Sequence, residues 1–286
     1  MRYIKTFYLP DEVSEIDFIK NQKLTCYNSE YPFKIFSHKQ LYKVELEDIT
    51  VFYGGNGSGK TTLLNLIAEK AGIKRHSDFN NSPFFSTFVN MCQIYSSPIP
   101  RESEILSSDD VFDYVLDARR VNEGIDRRRD TVLDERMEMI KFGDRQLHGL
   151  SDYERWKDVI DAQSRKVSKS QYVRDRVDRN VDMYSNGETS MKYFTDNIDK
   201  NALYLLDEPE NSLSIEFQID LAKYIADSAR YFGCQFVIST HSPILLSMAG
   251  AKIYNLDENP VREQRWTELP NVRKYFDFFM EHRAEF

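Results

Sequence analysis

The stretch Gly54–Thr62 constrains this chain more than any other part of the sequence. It reads GGNGSGKTT and fits the pattern G-x-x-x-x-G-K-[ST], with Gly54, Gly59, Lys60 and Thr61 at the fixed positions. A strand pattern precedes it and an apolar helical pattern follows it, which is the context that the motif requires. Because glycines let successive backbone N–H groups turn inward at a helix N-terminus, the stretch predicts a phosphate-binding loop.

The predicted loop would hold phosphate through its backbone and two side chains. Lys60 would reach the β- and γ-phosphates of a nucleotide, and the Thr61 hydroxyl would ligate Mg²⁺. An ordinary glycine-rich turn is the alternative interpretation, and the Lys-Thr pair argues against it. The residues expected to surround the phosphates are Gly54, Gly55, Asn56, Gly57, Ser58, Gly59, Lys60, Thr61 and Thr62.

Composition narrows the class of protein. A length of 286 residues suits one large α/β domain or one domain with an insertion, and 41% hydrophobic residues are compatible with a buried core. A net charge of −8 argues against a protein that coats nucleic acid, so any such contact would be local or made through a partner. No apolar run suits a membrane span, and three cysteines without metal-ligand spacing (Cys26, Cys92 and Cys234) fit buried thiols in a reducing cytoplasm.

Strands alternating with helical patterns predict an α/β fold with a mainly parallel core sheet, an antiparallel β layer and a helical insertion. The expected division is residues 1–100 for the β layer and phosphate loop, 101–180 for the insertion, and 181–286 for the rest of the core. Phe33 or Phe36 in the β layer could stack on adenine, but core packing is the preferred interpretation. The strands predicted around this layer are an edge strand at Arg2–Leu9, then Tyr31–Phe36, Leu41–Leu46 and Phe84–Tyr95.

Residues 101–180 are dense in charge of both signs and include the run Arg127-Arg128-Arg129. A solvated helix face with salt bridges is the preferred interpretation of these charges. Contact with nucleic acid through the Arg-rich insertion is the alternative, and the sequence leaves it open.

Two apolar strands in the last third of the chain end in polar residues. Ala202–Leu206 runs into Asp207 and Glu208, and the next apolar strand is followed closely by His241. Open α/β sheets place ligands at the carboxyl ends of their strands. Asp207 would therefore hold Mg²⁺ through water, and Glu208 would position an attacking water. His241 would contact the γ-phosphate or a carboxylate.

The order of these motifs resembles the ATP-binding-cassette ATPases, so the expected fold is a P-loop NTPase of that type. Within that superfamily, the chain looks like the branch that includes SMC-like and DNA-repair ATPase heads and small bacterial AAA family ATPases. The resemblance covers Ile49–Ile67 and Met183–Glu258 and leaves Lys74–Asn180 largely unexplained. The segments that carry it are Gly54–Thr62 (Walker A), Ser185-Asn186-Gly187-Glu188 (signature), Leu203–Glu208 (Walker B), Asn211–Ser214 (D-loop) and Thr240-His241 (switch histidine).

The resemblance implies a mechanism with ATP and Mg²⁺ as cofactors. Two copies would pair head-to-tail around ATP, with Ser185 and the Gly187 backbone reaching the γ-phosphate of the other copy. Asn186 and Glu188 belong to the same predicted nucleotide-binding signature. Glu208, His241 and Lys60 are the expected catalytic residues, with hydrolysis through Glu208 releasing the pair.

Two features depart from the family pattern. The signature reads YSNGE where transporters usually have LSGGQ, so Asn186 replaces a glycine and Glu188 resembles the SMC and repair branch. The glutamine that senses Mg²⁺ and γ-phosphate in the family is not obvious here. Gln93 is the first choice for this position beside the metal, and Glu102 is the competing one.

The function expected from the resemblance is that of an ATP-hydrolysing switch in the cytoplasm, without a membrane span. It would act on a protein effector, such as a nuclease or toxin, or on a nucleic-acid-processing system, with bacterial antiviral defence as the context. The alternative is the ATPase subunit of an ABC transporter.

Overall fold

The structure is a computed structural model of the chain and describes residues 2–22, 29–147, 149–164, 168–180 and 186–286. The chain divides into two compact units. The first unit comprises Met1–Phe112 and Asn186–Phe286, and the second is Asp113–Ser185. The second unit overlaps the insertion expected at 101–180. Within the described ranges, every helix is too short or too polar to cross a lipid bilayer.

Strands in the first unit form two sheets, which confirms the predicted α/β fold. A six-stranded sheet has the order β5-β6-β7-β3-β8-β9 and is parallel except for β9, and a three-stranded antiparallel sheet has the order β2-β1-β4. The strands are β1 (Ile4–Tyr8), β2 (Lys43–Glu45), β3 (Ile49–Tyr53), β4 (Gln93–Ser96), β5 (Glu104–Ser107), β6 (Leu203–Asp207), β7 (Gln235–Thr240), β8 (Lys252–Asn255) and β9 (Arg262–Glu263).

The helices follow the strands along the chain. The helix over residues 60–71 contacts β6 and β7, and the helix over residues 215–231 contacts β7. The helix that begins at Ser108 starts in the first unit, while most of its length belongs to the second. The α-helices are α1 (Glu12–Asn21), α2 (Lys60–Ala71), α3 (Phe85–Met91), α4 (Ser108–Phe142), α5 (Tyr153–Gln163), α6 (Lys169–Arg174), α7 (Asn186–Asn197), α8 (Ile215–Tyr231), α9 (Pro243–Leu246) and α10 (Pro270–Glu281).

The central strands of the parallel sheet carry almost no exposed side chain. All residues of β3, β6 and β7 are buried, as expected for strands that helices cover on both faces. Two large clusters of buried apolar side chains fill the first unit, one of them including Phe36, Leu63 and Phe88. Phe33 and Phe36 both belong to this core, which confirms core packing as their role.

Three expectations for the antiparallel layer are wrong. β1 is the middle strand of its sheet and not an edge strand. The stretch Phe84–Tyr95 contains α3 before β4, because its apolar side chains recur at helical spacing. Residues 31–40 form turns, in which Lys34 adopts a left-handed backbone (φ 68°) and the buried Glu15 carboxylate accepts hydrogen bonds from the Lys34 N–H and the Ser37 hydroxyl.

The second unit has a small core of its own. Tyr172 is buried there with Val132 and Ala162. The guanidinium groups of Arg136 and Arg176 lie 4.9 Å and 3.9 Å from the centroid of the Tyr172 ring, which is cation–π geometry. This unit is therefore a packed helical body and not only a charged surface.

The arginine run of this unit lies opposite acidic side chains on its own surface. Arg127 lies 3.7 Å from Glu123, and Arg128 lies 3.5 Å from Glu135. Arg129 lies 2.5 Å from Asp126. These exposed pairs favour the interpretation of a solvated, salt-bridged helix face over a surface reserved for nucleic acid.

Candidate nucleotide-binding site

The phosphate-binding loop lies at the carboxyl end of β3, which pairs with β7 on one side and β8 on the other. Gly57 and Gly59 have φ values of 79° and 101°, a backbone region that side chains disfavour. A Cβ atom at Gly54 would lie 2.5 Å from Ser58 Oγ, so a side chain at this position would displace Ser58. The loop then enters α2, whose first N–H groups have no intrahelical partner.

Lys60 is buried within the loop, with 4% of its side chain exposed. Its ammonium group donates hydrogen bonds to the carbonyls of Gly54 and Gly55, at 2.8 Å and 3.1 Å. It also lies 3.2 Å from Oε1 of Glu208. The positive charge of the loop is therefore already directed at the place where β6 ends.

Asp207 at the end of β6 accepts two hydroxyl hydrogen bonds on one oxygen. Thr61 Oγ1 donates at 2.9 Å and Ser239 Oγ, from the neighbouring strand, donates at 2.5 Å. Burial raises the pKa of Asp207, although these two hydrogen bonds work in the opposite direction. No motif in the sequence marks Ser239, which the parallel pairing of β6 and β7 brings to Asp207.

Glu208 follows in a left-handed backbone conformation, with a φ of 48°. Its N–H donates to the Ser239 carbonyl at 3.0 Å, which holds this turn, and Asn211 Nδ2 donates to Oε2 at 3.0 Å. Burial on its own would raise the pKa of Glu208, but the Lys60 ammonium, the hydrogen bonds and His241 together lower it. Strain of this kind at a non-glycine residue is common at functional sites.

His241 lies just after β7, in a turn gathered around Glu210. The His241 backbone N–H donates to Oε1 of Glu210 at 2.8 Å, and the ring Nδ1 lies 3.3 Å from the same oxygen. The imidazole is about half exposed, with 46% of its side-chain surface accessible. His241 also interacts electrostatically with Glu208, so it belongs to the same cluster of side chains.

Two further residues hold the phosphate loop from outside. The Asp257 carboxylate, which follows β8, accepts from the Gly55 N–H with both oxygens, at 3.0 Å and 2.9 Å. Lys39 donates to the Ser58 and Leu256 carbonyls, both at 2.6 Å, and burial lowers its pKa. Neither residue stands in a motif, so the sequence does not predict either contact.

The signature segment is only partly described. Ser185 and the Asn186 side chain lie outside the described residues, and α7 begins at Asn186. A Cβ at Gly187 would lie 2.8 Å from the ring of Phe217, which gives this glycine a packing reason within its own chain. Glu188 is exposed in the first turn of α7.

Neither candidate for the family's glutamine is brought to Thr61 and Asp207 by the described hydrogen bonds. Gln93 is exposed at the start of β4, in the three-stranded sheet, where it pairs with Tyr8. Glu102 precedes β5 and so lies towards the opposite end of that strand from Ser107. It is Ser107 that pairs in register with Asp207, so the residue brought beside the acid of β6 is Ser107.

The residues present fit a nucleotide with Mg²⁺. Mg²⁺ prefers oxygen ligands and is commonly held by one or two carboxylates together with substrate phosphates. Thr61 Oγ1 and Asp207 Oδ1, which lie 2.9 Å apart, are oxygen ligands of this kind. Within the part of the chain that the structure describes, Ser58 Oγ is a buried hydroxyl of the loop without a hydrogen-bond partner.

The fold and this site define a nucleotide-binding α/β protein of the P-loop class. The family model described as ABC transporter matches residues 39–211, more than half of the chain, and the model described as AAA ATPase domain matches residues 185–246. The chain therefore belongs to the ABC transporter family, that of the ATP-binding-cassette ATPases, as the motif order predicted. No protein with a curated function matches the sequence significantly.

Solved structures with a similar fold include SMC heads and ATP-binding cassettes. The Smc head domain from Pyrococcus furiosus, bound to the C-terminal domain of ScpA, is 13% identical, with 99% of this chain and 100% of that chain covered and a TM-score of 0.45. The SMC head domain from Thermotoga maritima is 14% identical, with 93% and 99% covered and a TM-score of 0.41. A nucleotide-free ATP-binding cassette from an ABC transporter is 14% identical, with 82% and 90% covered and a TM-score of 0.38.

Proposed function

We propose that this chain binds ATP with Mg²⁺ and hydrolyses it to ADP and phosphate. The observation that carries the proposal is the meeting of the phosphate loop with the end of β6. Lys60 lies 3.2 Å from Glu208, and Thr61 lies 2.9 Å from Asp207, although the two pairs of residues are far apart in the sequence. Family membership supports the same reaction.

Each side chain has a role that its surroundings support. Lys60 would neutralise the β- and γ-phosphates, and Thr61 with Asp207 would hold Mg²⁺, which supplies charge neutralisation of the phosphates. Glu208 would orient and deprotonate the attacking water, for which it must be ionised. In this structure the Lys60 ammonium, together with the hydrogen bonds and His241, outweighs the effect of burial and lowers the pKa of Glu208. A Lys60 ammonium that turns from Glu208 to phosphate oxygens would free that carboxylate for the water.

We further propose that hydrolysis works as a switch between paired and separate copies. Ser185, Asn186, Gly187 and Glu188 would contact the nucleotide held by a second copy, in a head-to-tail pair. The closed pair would bind ATP better than ADP, so hydrolysis would shift the population towards separate copies. The output would pass to a protein effector or a nucleic-acid-processing system, with bacterial defence as the proposed setting.

Two substitutions test the hydrolysis proposal. Lys60→Ala should abolish ATP binding, because the buried phosphate charge loses its partner. Glu208→Gln should keep ATP binding in isothermal titration calorimetry and lower kcat by about 10²–10⁴-fold, since an amide cannot accept the proton of water. Full turnover in Glu208→Gln would overturn the assignment of the base. Absence of ATP binding by the wild-type protein would overturn the proposal as a whole.

A capture experiment tests the effector. Tagged Glu208→Gln with ATP and Mg²⁺ should retain a nuclease, a toxin or a nucleic acid from its native source, and Lys60→Ala should not. Membrane permease subunits among the captured proteins would instead support the transporter alternative.

A further inference from the structure

Glu210 is a buried carboxylate with two very different oxygens. The residue is 6% exposed. Its Oε1 accepts hydrogen bonds from the Thr240 hydroxyl at 2.6 Å, from the His241 N–H at 2.8 Å and from the Ser242 N–H at 3.2 Å. Its Oε2 is buried and, within the described part of the chain, has no hydrogen-bond partner. One oxygen thus gathers the whole turn after β7, while the other is left unsatisfied.

A neutral side chain could do the work of organising this turn. The Thr240 hydroxyl and two backbone N–H groups need an acceptor, which an amide oxygen also supplies. Burying a carboxylate with an unpaired oxygen is unfavourable unless another group interacts with its negative charge. We therefore expect, among the neighbours of Glu210, a group that a charged carboxylate would bind better than an amide would. That group is His241, whose Nδ1 lies 3.3 Å from Oε1.

The contact determines which ring nitrogen of His241 is available to a ligand. A carboxylate beside Nδ1 favours the ring form that carries a proton there, and it restrains the orientation of the ring. Because Nδ1 faces the buried Glu210, Nε2 is the ring nitrogen left for the nucleotide. Glu208, which follows β6, also interacts electrostatically with the ring. The His241 ring therefore interacts with two carboxylates, those of Glu208 and Glu210.

We propose that Glu210 is a positioning residue that acts through His241, holding the imidazole by Nδ1 so that Nε2 serves the terminal phosphate of ATP. This inference rests on the proposed ATPase function. Glu208 then acts on water and Glu210 acts on the histidine, so the two acids on either side of Pro209 have separate roles.

Kinetics of Glu210→Gln test the proposal. The amide keeps an acceptor for the turn but removes the charge beside Nδ1, so kcat should fall by about 10–100-fold, with KM for ATP changed less than about twofold. In a His241→Ala background the same substitution should lower kcat by less than about twofold, because its target is gone. Equal losses in both backgrounds, or an unchanged kcat with a lowered Tm, would overturn the proposal.

Ser242→Ala is the matched control. The Ser242 hydroxyl donates to Gln218 Oε1 at 2.7 Å in the same turn but does not touch the contact between Glu210 and His241. We expect Ser242→Ala to lower Tm and to leave kcat within about twofold of the wild-type value. A loss of kcat as large as that of Glu210→Gln would assign the effect to turn stability and overturn the inference.

Nitrogen-15 NMR of the histidine ring separates this inference from the proposed function. The His241 ring nitrogen signals, assigned with the His241→Ala variant, should move in Glu210→Gln and stay in place in Ser242→Ala. If Glu210→Gln does not fold, the wild-type spectrum decides, since a neutral ring protonated only at Nε2 would contradict the proposal. Wild-type protein without ATP turnover would contradict the proposed function, while these spectra still test the contact.

Discussion

At the scale of single residues, the site combines two neighbouring acids whose pKa values the fold shifts in opposite directions. Burial raises the pKa of Asp207, whereas Lys60 and its other partners lower that of Glu208, the next residue in the chain. The difference arises because burial dominates at Asp207, whose two hydrogen bonds come from hydroxyl groups, while the charge of the Lys60 ammonium, together with hydrogen bonds and His241, outweighs burial at Glu208. Adjacent acids are thereby suited to different tasks, one at the metal and one at the water.

Asp207→Asn should stabilise the nucleotide-free protein and should remove the rise in Tm that Mg²⁺-ATP gives to the wild-type protein. The pKa of Asp207 is raised in the folded protein, so the ionised carboxylate destabilises the folded state at pH values above that pKa. This penalty vanishes at low pH, where Asp207 is protonated in both the folded and the unfolded state. The gain in free energy of unfolding should therefore be largest at neutral pH and shrink as pH falls through the pKa of Asp207. Urea unfolding at several pH values measures it.

Asp220→Asn on α8 is the control, because Asp220 is exposed and its ion pair among the described residues is with Lys223, at 3.5 Å. We expect no change in stability there and a normal Mg²⁺-ATP shift in Tm. A lower stability of Asp207→Asn at neutral pH would show that its charge is favourable in the folded protein, contrary to the argument.

At the scale of elements, the phosphate loop depends on contacts from segments far away in the chain. Gly55 and Asp257 are 202 residues apart, yet the Asp257 carboxylate meets the Gly55 N–H. Lys39, from the turn-rich segment before β2, holds the Ser58 carbonyl of the same loop. These contacts leave the loop's shape less dependent on the nucleotide, because its backbone groups are held from outside.

Asp257→Ala should raise KM for ATP by about tenfold, which corresponds to the loss of one charge-assisted hydrogen bond. kcat should change much less, since Asp257 meets neither Glu208 nor Asp207 in the described contacts. Asp257→Asn should have a smaller effect because an amide still accepts from the Gly55 N–H. Steady-state kinetics decide, and an equal rise of KM in Glu258→Ala, one residue away, would show that only the lost surface charge matters.

Gly187→Ala tests the packing of α7 against α8. The added Cβ would lie 2.8 Å from the Phe217 ring, so we expect a loss of about 1–3 kcal/mol in free energy of unfolding. Gly124→Ala in α4, with nothing within 4 Å of its added Cβ, should instead raise stability by up to about 1 kcal/mol. Denaturant unfolding measures the free energy of unfolding of both variants. An unchanged value for Gly187→Ala would mean that Phe217 moves aside without cost and would contradict the prediction.

At the scale of the whole molecule, the two units have distinct chemistry. The first carries the parallel sheet with the candidate nucleotide site, and the second has its own core around Tyr172 with charges paired along its surface. Cys92 and Cys234 are buried free thiols, and burial raises the pKa of Cys92 to about 12, while Cys26 lies outside the described residues.

Pairing of two copies is the prediction that belongs to this scale. Glu208→Gln with ATP and Mg²⁺ should elute as a dimer in size-exclusion chromatography with light scattering, because unhydrolysed ATP would bridge the copies. Adding Ser185→Arg should return it to a monomer without loss of nucleotide binding, and Lys60→Ala should stay monomeric. An ATP-dependent dimer that persists with Ser185→Arg would contradict the role of the signature across the pair.

The parts that the sequence determined by itself are those encoded by neighbouring residues. The phosphate loop, the strands that end at Asp207 and Thr240, and the α/β class follow from local spacing and from apolar runs, because backbone conformation and strand burial leave periodic patterns. Helix α3 also leaves such a pattern, in Phe85, Phe88 and Cys92, but the aromatic and β-branched residues of the same stretch favour a strand as well.

Tertiary structure alone decided which distant groups meet. Strand order places Ser239 and Ser107 beside Asp207, brings Asp257 to Gly55 and leaves Gln93 in a separate sheet. The role of Glu210 was equally hidden, since its partners lie on the turn after β7, about 30 residues further along the chain. Hydrogen bonds of this kind depend on three-dimensional proximity, which parallel pairing creates between strands that are far apart in sequence.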